Sequence, residues 1–361
     1  QELAFALATA QAVLDGLKDK VPAKDFPKLV GRISFFVNAG IRFVTEMCKM
    51  RAFVDLWDEI CRERYGVEDP KYRRFRYGVQ VNSLGLTEQQ PENNVYRILI
   101  EMLAVVLSKN ARARAVQLPA WNEALGLPRA WDQQWSLRMQ QIMAFETDLL
   151  ENGDIFDGSE VIGAKVEALK SAALKELAVI EQMGGAVAAV DSGYMKAELV
   201  KSNSARIKAI EEGRETVVGV NAYETSEPSP LSGGDGDSVL TGPEHVEQEQ
   251  VERLKTWRKE RDAVAVEAAL SDLKAAALNG SNIMDPSIVC AKIGVTTGEW
   301  GQTLRDVFGE YRAPTGVGTV VTLAAPENSE AVREQVVALS QRLGVPVRFL
   351  VGKPGLDGHS N

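Results

Sequence analysis

The fold is decided by a short, largely apolar run, ISFFV, at residues 33–37. Phenylalanine and β-branched residues favour strands, and short continuous apolar strands are typical of parallel sheets. Two later runs also predict strands, FRYGVQV at residues 75–81 and AVQL at residues 115–118. Because segments of helical length separate the three runs, the pattern predicts βα units and therefore a parallel sheet covered by helices.

Helical periodicity of apolar residues fills the intervals around these strands. It predicts helices over residues 2–18, 41–62, 91–107 and 130–150. A complete eight-stranded βα barrel needs about 250 residues, whereas the alternating region here has only about 150. We therefore expect an α/β fold in which this region is either a small open sheet or the back part of a TIM-type barrel.

A change of character begins near residue 158, after which no strand pattern alternates with the helices. Apolar spacings of three and four, together with a Thr-x-x-Glu capping box, predict four helices that include residues 166–180, 246–261, 262–278 and 296–308. We interpret residues 156–315 as a mainly helical connector that follows a barrel region of residues 1–155.

The C-terminal part of the chain resumes an α/β pattern. Residues 329–343 predict a helix that a glycine stops, while residues 317–323 and 345–351 have the composition of strands. A Gly-rich polar loop follows the second of these strands. This order is typical of the opening of a nucleotide-binding-like domain, so residues 316–361 are predicted to end the connector and to begin a Rossmann-like domain.

The composition excludes several classes of protein. The 41 Lys and Arg face 50 Asp and Glu, a formal net charge of −9, which gives no net positive field for a dedicated nucleic-acid binder. Hydrophobic residues make up 45%, which excludes a disordered acidic chain. The 3 cysteines form no CxxC pair, which excludes a disulfide framework and predicts a reducing, cytoplasmic location. The sequence contains no run of about 18 apolar residues, so it predicts no membrane span.

Histidine occurs only as His245 and His359, which excludes a metal site built from several histidines. His359 stands in the loop LVGKPGLDGHSN at residues 350–361, two positions after Asp357. A carboxylate can accept the proton of one imidazole nitrogen and so make the other nitrogen a better metal ligand. Lys353 on the same loop could tune that carboxylate. The spacing by itself also fits a chance Asp-x-His in a disordered tail.

This loop resembles the opening loop of the cobalamin-binding domain of the adenosylcobalamin-dependent acyl-CoA mutases, whose pattern is Asp-x-His-x-x-Gly. The resemblance implies that His359 is the lower axial ligand of cobalt, that Asp357 supports it, and that Lys353 belongs to the same hydrogen-bonded relay. The closing glycine of the pattern would come directly after Asn361. Adenosylcobalamin, coenzyme B12, is accordingly the cofactor that the resemblance implies.

The barrel region carries the same resemblance. RISFFVNAGIRFVTEMCKMRAFVDLW at residues 32–57 is similar to a barrel segment of this family, which implies that Arg32 and Ser34 contact the CoA moiety of an acyl-CoA substrate. The ordinary alternatives are a surface ion pair for Arg32 and a small sheet residue at Ser34. A basic run could also meet the CoA phosphates or could form a solvated charged loop; it consists of Lys71, Arg73, Arg74 and Arg76.

Cofactor contacts are implied for three further residues. Gln80 matches a family glutamine near the corrin and the adenosyl group. In the stretch AWNEALGLP, Glu123 and Ala124 match the segment whose glutamate approaches the adenosyl ribose. The structural alternatives are a satisfied polar group on a strand for Gln80 and a helix-start carboxylate for Glu123.

Within the family, the chain resembles the ethylmalonyl-CoA branch. Residues 77–80 read Tyr-Gly-Val-Gln where the methylmalonyl-CoA branch typically reads Thr-His-Ser-Gln, and residues 81–86 and 110–121 also resemble the former. This implies an isomerase, a radical mutase that interconverts ethylmalonyl-CoA and methylsuccinyl-CoA as a homodimer, with no nucleic-acid or membrane partner. The alternatives are a mutase for methylmalonyl-CoA or another branched acyl-CoA, and a non-catalytic fragment or assembly subunit.

Two parts of the family pattern have no counterpart in these residues. One is the front of the barrel, which in the family carries the tyrosine and histidine that contact the acyl group. The other is the body of the cobalamin domain. We therefore expect the catalytic residues to lie outside this sequence, and the chain to be an incomplete copy or part of a longer protein.

Overall fold

The computed structural model describes residues 1–225, 245–311 and 329–345, together with Glu227, Ser229 and Val239. This part of the chain is mostly helical and contains one small parallel sheet. The chain divides into two compact units, of which the first comprises residues 1–240 with 314–361 and the second comprises residues 241–313.

Several C-terminal predictions fall outside the described residues. They concern the strand at 317–323, the strand at 345–351 apart from Val345, and the loop residues Lys353, Asp357 and His359. The partial barrel, the Rossmann-like start and the domain boundaries after residues 155 and 315 also stay predictions.

Three short strands form the sheet: β1 is Phe35–Ala39, β2 is Tyr77–Val81 and β3 is Ala115–Gln117. They are parallel and lie in the order β1-β2-β3, so the predicted parallel sheet is confirmed. The first strand begins later than predicted, because the N–H groups of Arg32 and Ile33 donate to carbonyls of the preceding turn at 2.9 and 3.1 Å. Ser34 consequently precedes the strand.

The helices within residues 1–225 belong to the first unit. They are α1 Glu2–Lys18, α2 Phe26–Val30, α3 Phe43–Glu63, α4 Asn93–Val106, α5 Ala130–Phe145, α6 Glu160–Gln182, α7 Ala186–Asp191 and α8 Tyr194–Glu211. The predicted bounds of α1 are confirmed, whereas α5 ends earlier than predicted and a 3-10 turn covers Asp148–Leu150. The pattern does not predict α8, because that helix has no buried residue and therefore no apolar stripe.

The main core lies between α3 and one face of the sheet. Aromatic rings fill it: the centroid of Phe35 lies 4.9 Å from that of Trp57 and 4.5 Å from that of Phe75, and Phe53 stacks on Phe75 at 4.9 Å. Large buried rings of this kind contribute more apolar area than any other side chains. This packing leaves the opposite face of the sheet free of the main core.

The second unit is a small helical bundle of α9 His245–Glu260, α10 Ala263–Leu278, α11 Met284–Ile293 and α12 Thr297–Phe308. Its core contains Ala269, Leu273 and Cys290. The predicted capping box is confirmed, since the Thr296 hydroxyl accepts the N–H of Glu299 and the Glu299 carboxylate accepts the N–H of Thr296.

The last described helix is α13, Ser329–Leu343, which belongs to the first unit.

The described residues lack two features, a membrane-spanning helix and a metal-binding cluster. In residues 1–225, 245–311 and 329–345, no helix combines the length and apolar character that a membrane crossing requires. The same residues contain no cluster of three or more histidine, cysteine, aspartate and glutamate side chains arranged to hold a metal ion.

Candidate functional site

The open face of the sheet carries a row of carboxamide side chains. Asn38, Gln80 and Gln117 are register partners on adjacent strands, and side chains that pair in register stand on the same face. Asn38 and Gln80 are half-buried, while Gln117 is exposed. Carboxamides both donate and accept hydrogen bonds, so this row can bind a polar ligand that lies across the strands.

An exposed aromatic ring borders this row. Phe36 is 62% exposed and belongs to the same face, paired in register with Gly78. A Cβ added at Gly78 would lie 2.9 Å from Phe36 Cε2, so a side chain at this position would displace the ring. Gly78 therefore allows the Phe36 ring to lie flat against the sheet.

The amino end of the sheet opens into a basic cavity of about 400 Å³, lined by Lys28, Gly31, Arg32, Lys71, Tyr72, Arg74, Arg76 and Arg114. Arg76 and Arg114 directly precede β2 and β3, and Arg32 lies shortly before β1, so the parallel strands bring them to one edge. Among the residues that the structure describes, no acidic side chain lines this cavity. In a chain of net charge −9, such a concentration of positive charge indicates an anion site.

Among the described residues, most cations of this basic cavity have no ion-pair partner; Lys28 is the exception and pairs with Asp25 at 2.8 Å. In the part of the chain that the structure describes, no ion pair neutralises Arg32, Arg74 or Arg114. The Arg76 guanidinium donates to the carbonyl of Gly31 at 2.8 Å, which aims it along the edge of the sheet. Guanidinium groups are suited to bidentate binding of phosphate, so the cavity has the chemistry of a phosphate site.

The basic run that the sequence singled out is divided by the structure. Lys71, Arg74 and Arg76 line the basic cavity. Arg73 instead donates from Nε to Asp58 at 2.8 Å and from a terminal nitrogen to the carbonyl of Val67 at 3.0 Å. It therefore has a structural role in joining this loop to α3.

Arg32 and Ser34 are both exposed at the amino end of the sheet. Gln80 lies in the carboxyl half of β2, and Glu123 begins a 3-10 turn, Glu123–Leu125, soon after β3. A strand of five residues spans about 16 Å, so the predicted substrate residues and cofactor residues lie at opposite ends of the sheet. An extended ligand on the open face could contact both ends.

A buried network holds the segment that carries Glu123. Asp132 of α5 accepts from Trp121 Nε1 at 3.0 Å, from Asn122 Nδ2 at 2.8 Å and from Arg129 Nε at 3.0 Å. Burial alone would raise the pKa of Asp132, but these donors outweigh it and hold the pKa below its usual range. The segment is thereby fixed in position, which is what a residue that orients a ligand requires.

Ala124, the remaining predicted cofactor residue, is only 8% exposed and packs in a second apolar cluster with Leu118 and Met143. Its side chain stabilises the 3-10 turn. The contact of Ala124 with a cofactor stays a prediction, as do the contacts of Gln80 and Glu123.

Sequence reasoning missed a buried charged cluster near the carboxyl ends of β1 and β2. The Lys49 ammonium lies 2.5 Å from Glu2 and 2.5 Å from Glu46, and it donates to the carbonyl of Asn38 at 2.7 Å. Glu101 of α4 adds a third carboxyl group and is 1% exposed. The i,i+3 spacing of Glu46 and Lys49 was the only available signal, because Glu101 lies in an otherwise apolar stretch of α4.

The methylmalonyl-CoA mutase family model matches residues 1–310. An ethylmalonyl-CoA mutase of Cereibacter sphaeroides is 67% identical over 100% of this chain and 55% of its own length. An ethylmalonyl-CoA mutase of Methylorubrum extorquens is 64% identical over 100% of this chain and 52% of its own length. The human mitochondrial methylmalonyl-CoA mutase is 30% identical over 99% of this chain and 47% of its own length. The chain thus spans about half the length of the curated relatives it matches.

Proposed function

Because the chain belongs to the methylmalonyl-CoA mutase family, we propose that the protein is an acyl-CoA mutase that interconverts ethylmalonyl-CoA and methylsuccinyl-CoA. The choice of substrate rests on sequence identity. The two relatives named ethylmalonyl-CoA mutase are 67% and 64% identical to this chain, whereas the human methylmalonyl-CoA mutase is 30% identical. Methylmalonyl-CoA is the alternative substrate that the more distant relatives favour.

The observation that carries this proposal is the basic cavity at the amino end of the sheet. CoA has a diphosphate and a ribose phosphate at one end and the thioester at the other. Arg32, Arg76 and Arg114 offer uncompensated positive charge for the phosphates. The open face leads from this cavity towards Gln80, so a CoA molecule bound by its phosphates would extend its thioester towards the carboxyl end. Ser34 would hydrogen-bond the CoA at the entrance.

The described residues fit one side of adenosylcobalamin. The carboxamides of Asn38, Gln80 and Gln117 and the carboxylate of Glu123 suit the amide groups of a corrin ring and the hydroxyls of a ribose. When bound, the cofactor would supply the radical chemistry by which the thioester carbonyl migrates to the neighbouring carbon. In the proposal His359 holds the cobalt, assisted by Asp357 and Lys353.

The contribution of this chain would be binding, orientation and exclusion of water. Arg32 and Ser34 hold the CoA moiety, Gln80 orients the ligand on the open face, and Glu123 and Ala124 place the adenosyl group. Reactive intermediates survive only where solvent is excluded, and the apolar face of Phe36 beside the row contributes to that exclusion. The proposal also includes a homodimer in the cytoplasm.

The activity is tested with the protein at its natural length. Incubation with adenosylcobalamin and ethylmalonyl-CoA should give methylsuccinyl-CoA, detected by liquid chromatography and mass spectrometry. Conversion of methylmalonyl-CoA at a higher kcat/KM would reassign the substrate. Binding of CoA and corrin without turnover of either substrate would contradict the proposed activity and favour a non-catalytic role.

The role of the basic cavity is tested separately by Arg76→Gln and Arg114→Gln. Each removes one phosphate partner and should weaken CoA binding about tenfold by isothermal titration calorimetry, because a charge-assisted hydrogen bond contributes about 1.5 kcal/mol or more. The matched control is Arg62→Gln, since Arg62 lies on α3 outside this cavity with a side chain 54% exposed. Unchanged CoA affinity in both cavity variants would show that the phosphates bind elsewhere.

A further inference from the structure

The turn that follows β2 lies close to two carboxyl groups to which the proposed reaction assigns no role. A Cβ added at Gly40 would lie 3.8 Å from Glu46 Oε1 and 3.9 Å from Asn82 Nδ2. A Cβ added at Gly85 would lie 3.2 Å from Asn82 Nδ2 and 3.8 Å from Glu101 Oε1. The Asn82 carboxamide and the carboxyl groups of Glu46 on α3 and Glu101 on α4 therefore lie close to this turn, beside its two glycines.

Among the described residues, the one ammonium group of this cluster, that of Lys49, already has two carboxylate partners. Lys49 pairs with Glu46 and with Glu2 of α1, and burial of all but 10% of its side chain keeps it there. Burial alone would lower the pKa of Lys49, but the two carboxylates outweigh it and raise the pKa. Lys49 therefore stays charged at neutral pH, in contact with the Glu46 carboxyl group of α3.

No cation pairs with Glu101 in the described part of the chain. Arg97, on the same helix, donates to Thr87 Oγ1 at 2.9 Å and to the Val218 carbonyl at 2.7 Å. Arg206 of α8 pairs with Glu215 at 3.3 Å. Within the described residues, Glu101 Oε2 is buried and has no hydrogen-bond partner.

These surroundings keep Glu101 in its neutral form. Burial first, and then the charge of Glu46, raise the pKa of Glu101 to about 8. Ionisation would add a second buried negative charge beside Glu46, which is costly in the protein interior, and the more distant charges of Arg97 and Arg206 offset that cost only in part. The turn that lies close to the two carboxyl groups is the element that such a charge would displace.

We propose that Glu101 is a positioning residue: its buried carboxyl group keeps the Val81–Gly85 turn in place, and this turn sets the direction of Gln80 on the open face. The Asn82 N–H donates to the carbonyl of Ala39 at 2.9 Å, so the turn is joined to β1 as well as to β2. A shift of Asn82 would therefore be transmitted directly to Gln80, two residues earlier. The effect on activity rests on the proposed function, whereas the effect on Gln80 does not.

The placement is tested by NMR of the side-chain amide of Gln80, assigned by its loss in Gln80→Glu. The wild-type signal should titrate with a midpoint near pH 8, the pKa that its surroundings give Glu101. Glu101→Gln, which is neutral and similar in shape, should abolish this titration, and Glu46→Gln should move the midpoint to lower pH. A Gln80 signal that is flat in the wild-type protein, or that titrates equally in Glu101→Gln, would overturn the proposal.

The consequence for turnover is tested by the pH profile of kcat at saturating substrate. Wild-type kcat should fall about tenfold for each pH unit above the pKa of Glu101, whereas Glu101→Gln should keep neutral-pH activity within about threefold and lose this decline. Glu167→Gln on α6 is the matched control, since its side chain is 70% exposed, and it should keep the wild-type profile. A folded Glu101→Gln enzyme that has lost most of its kcat at pH 7 would refute the positioning role. If no variant and no wild-type preparation turns over either acyl-CoA, the proposed function fails while the Gln80 titration still decides this inference.

Discussion

Glu101 in the first unit and Glu299 in the second are the same chemical group with opposite pKa shifts. Glu299 accepts two hydrogen bonds from the Arg261 guanidinium, at 2.5 and 2.6 Å, and one from the N–H of Thr296 at 2.9 Å. Hydrogen bonding to Arg261 lowers its pKa to about 2, whereas burial raises that of Glu101 to about 8. The difference shows that partners, and not burial alone, decide whether a glutamate is charged.

The two surroundings also differ in how they are built. Thr296 and Glu299 are three residues apart, and Arg261 and Gly294 come from the same small bundle, so a compact set of local contacts creates that site. Around Glu101, by contrast, side chains converge from α3, α4 and the turn after β2. The bundle site stabilises structure, whereas the first-unit site lies beside a surface that can bind ligands.

The largest expected effect is that of Lys49→Met, which removes the one ammonium group that the described residues place in the first-unit cluster. Glu2 and Glu46 would then face each other without compensation, and loss of one partner of a buried ion pair costs about 3–5 kcal/mol. The free energy of unfolding of the first unit, measured by hydrogen exchange of α3 amides, should fall by that amount. Lys201→Met is the control, because Lys201 is 76% exposed and its loss should cost less than about 0.5 kcal/mol.

The pH dependence of stability should have opposite signs in the two units. Since the pKa of Glu299 is lowered from 4.5 to about 2, its stabilisation is present above pH 4.5 and is lost as the pH falls towards 2, a change of about 3 kcal/mol in the second unit. Since the pKa of Glu101 is raised from 4.5 to about 8, its contribution is complete below pH 4.5 and is lost as the pH rises through 8. Hydrogen exchange resolved by unit, between pH 3 and 9, measures both slopes. Equal slopes in both units would break the comparison.

Arg261→Ala should destabilise the second unit by about 2–3 kcal/mol, because it removes both hydrogen bonds to Glu299 and the one to the Gly294 carbonyl. Chemical denaturation followed by hydrogen exchange in α11 and α12 measures this loss. Arg258→Ala is the matched control: Arg258 also lies near Glu299, at 3.5 Å, but it is 48% exposed and should contribute less than about 1 kcal/mol. Equal effects would show that proximity to Glu299, and not the bidentate geometry, is what matters.

The smallest expected effect concerns Gly294, whose carbonyl accepts a hydrogen bond from Arg261. Gly294 has φ +92°, and an added Cβ would lie 2.9 Å from Trp257 Cζ2. Gly280 has φ +66° with nothing within 4 Å, so Gly280→Ala measures the backbone strain alone. We expect about 1 kcal/mol for Gly280→Ala and about 1 kcal/mol more for Gly294→Ala, read from the thermal unfolding midpoint of the second unit. Equal losses of stability in Gly280→Ala and Gly294→Ala would show that the Trp257 side chain moves aside at no energetic cost.

Local patterns predicted the helices well where an apolar stripe or a cap marks them. The bounds of α1 and the capping box of α12 follow from the identities of neighbouring residues, and the structure confirms both. The start of β1 was wrong by two residues, because hydrogen bonds from Arg32 and Ile33 extend the preceding turn. Such backbone bonds compete with the strand, and composition does not reveal the outcome.

The candidate site was predictable only in pieces. Arg32, Gln80 and Glu123 could be identified by resemblance, yet their distribution between two ends of one sheet depends on the parallel order of the strands. The basic run could be identified in the sequence. The ion pair between Arg73 and Asp58 could not be predicted, since it depends on the position of α3. Arg114 was not singled out, because a single arginine before a short strand carries no local signal.

The periodic elements, the caps and the α/β character of the first unit follow from the amino-acid sequence, because those properties depend on residues a few positions apart. The packing of distant elements brings Arg32, Arg76 and Arg114 to one cavity, and it buries Glu101 near Glu46 with no ion-pair partner among the described residues. Electrostatic energy depends on distance and on exclusion of water, and both are set by how elements far apart in the chain pack together.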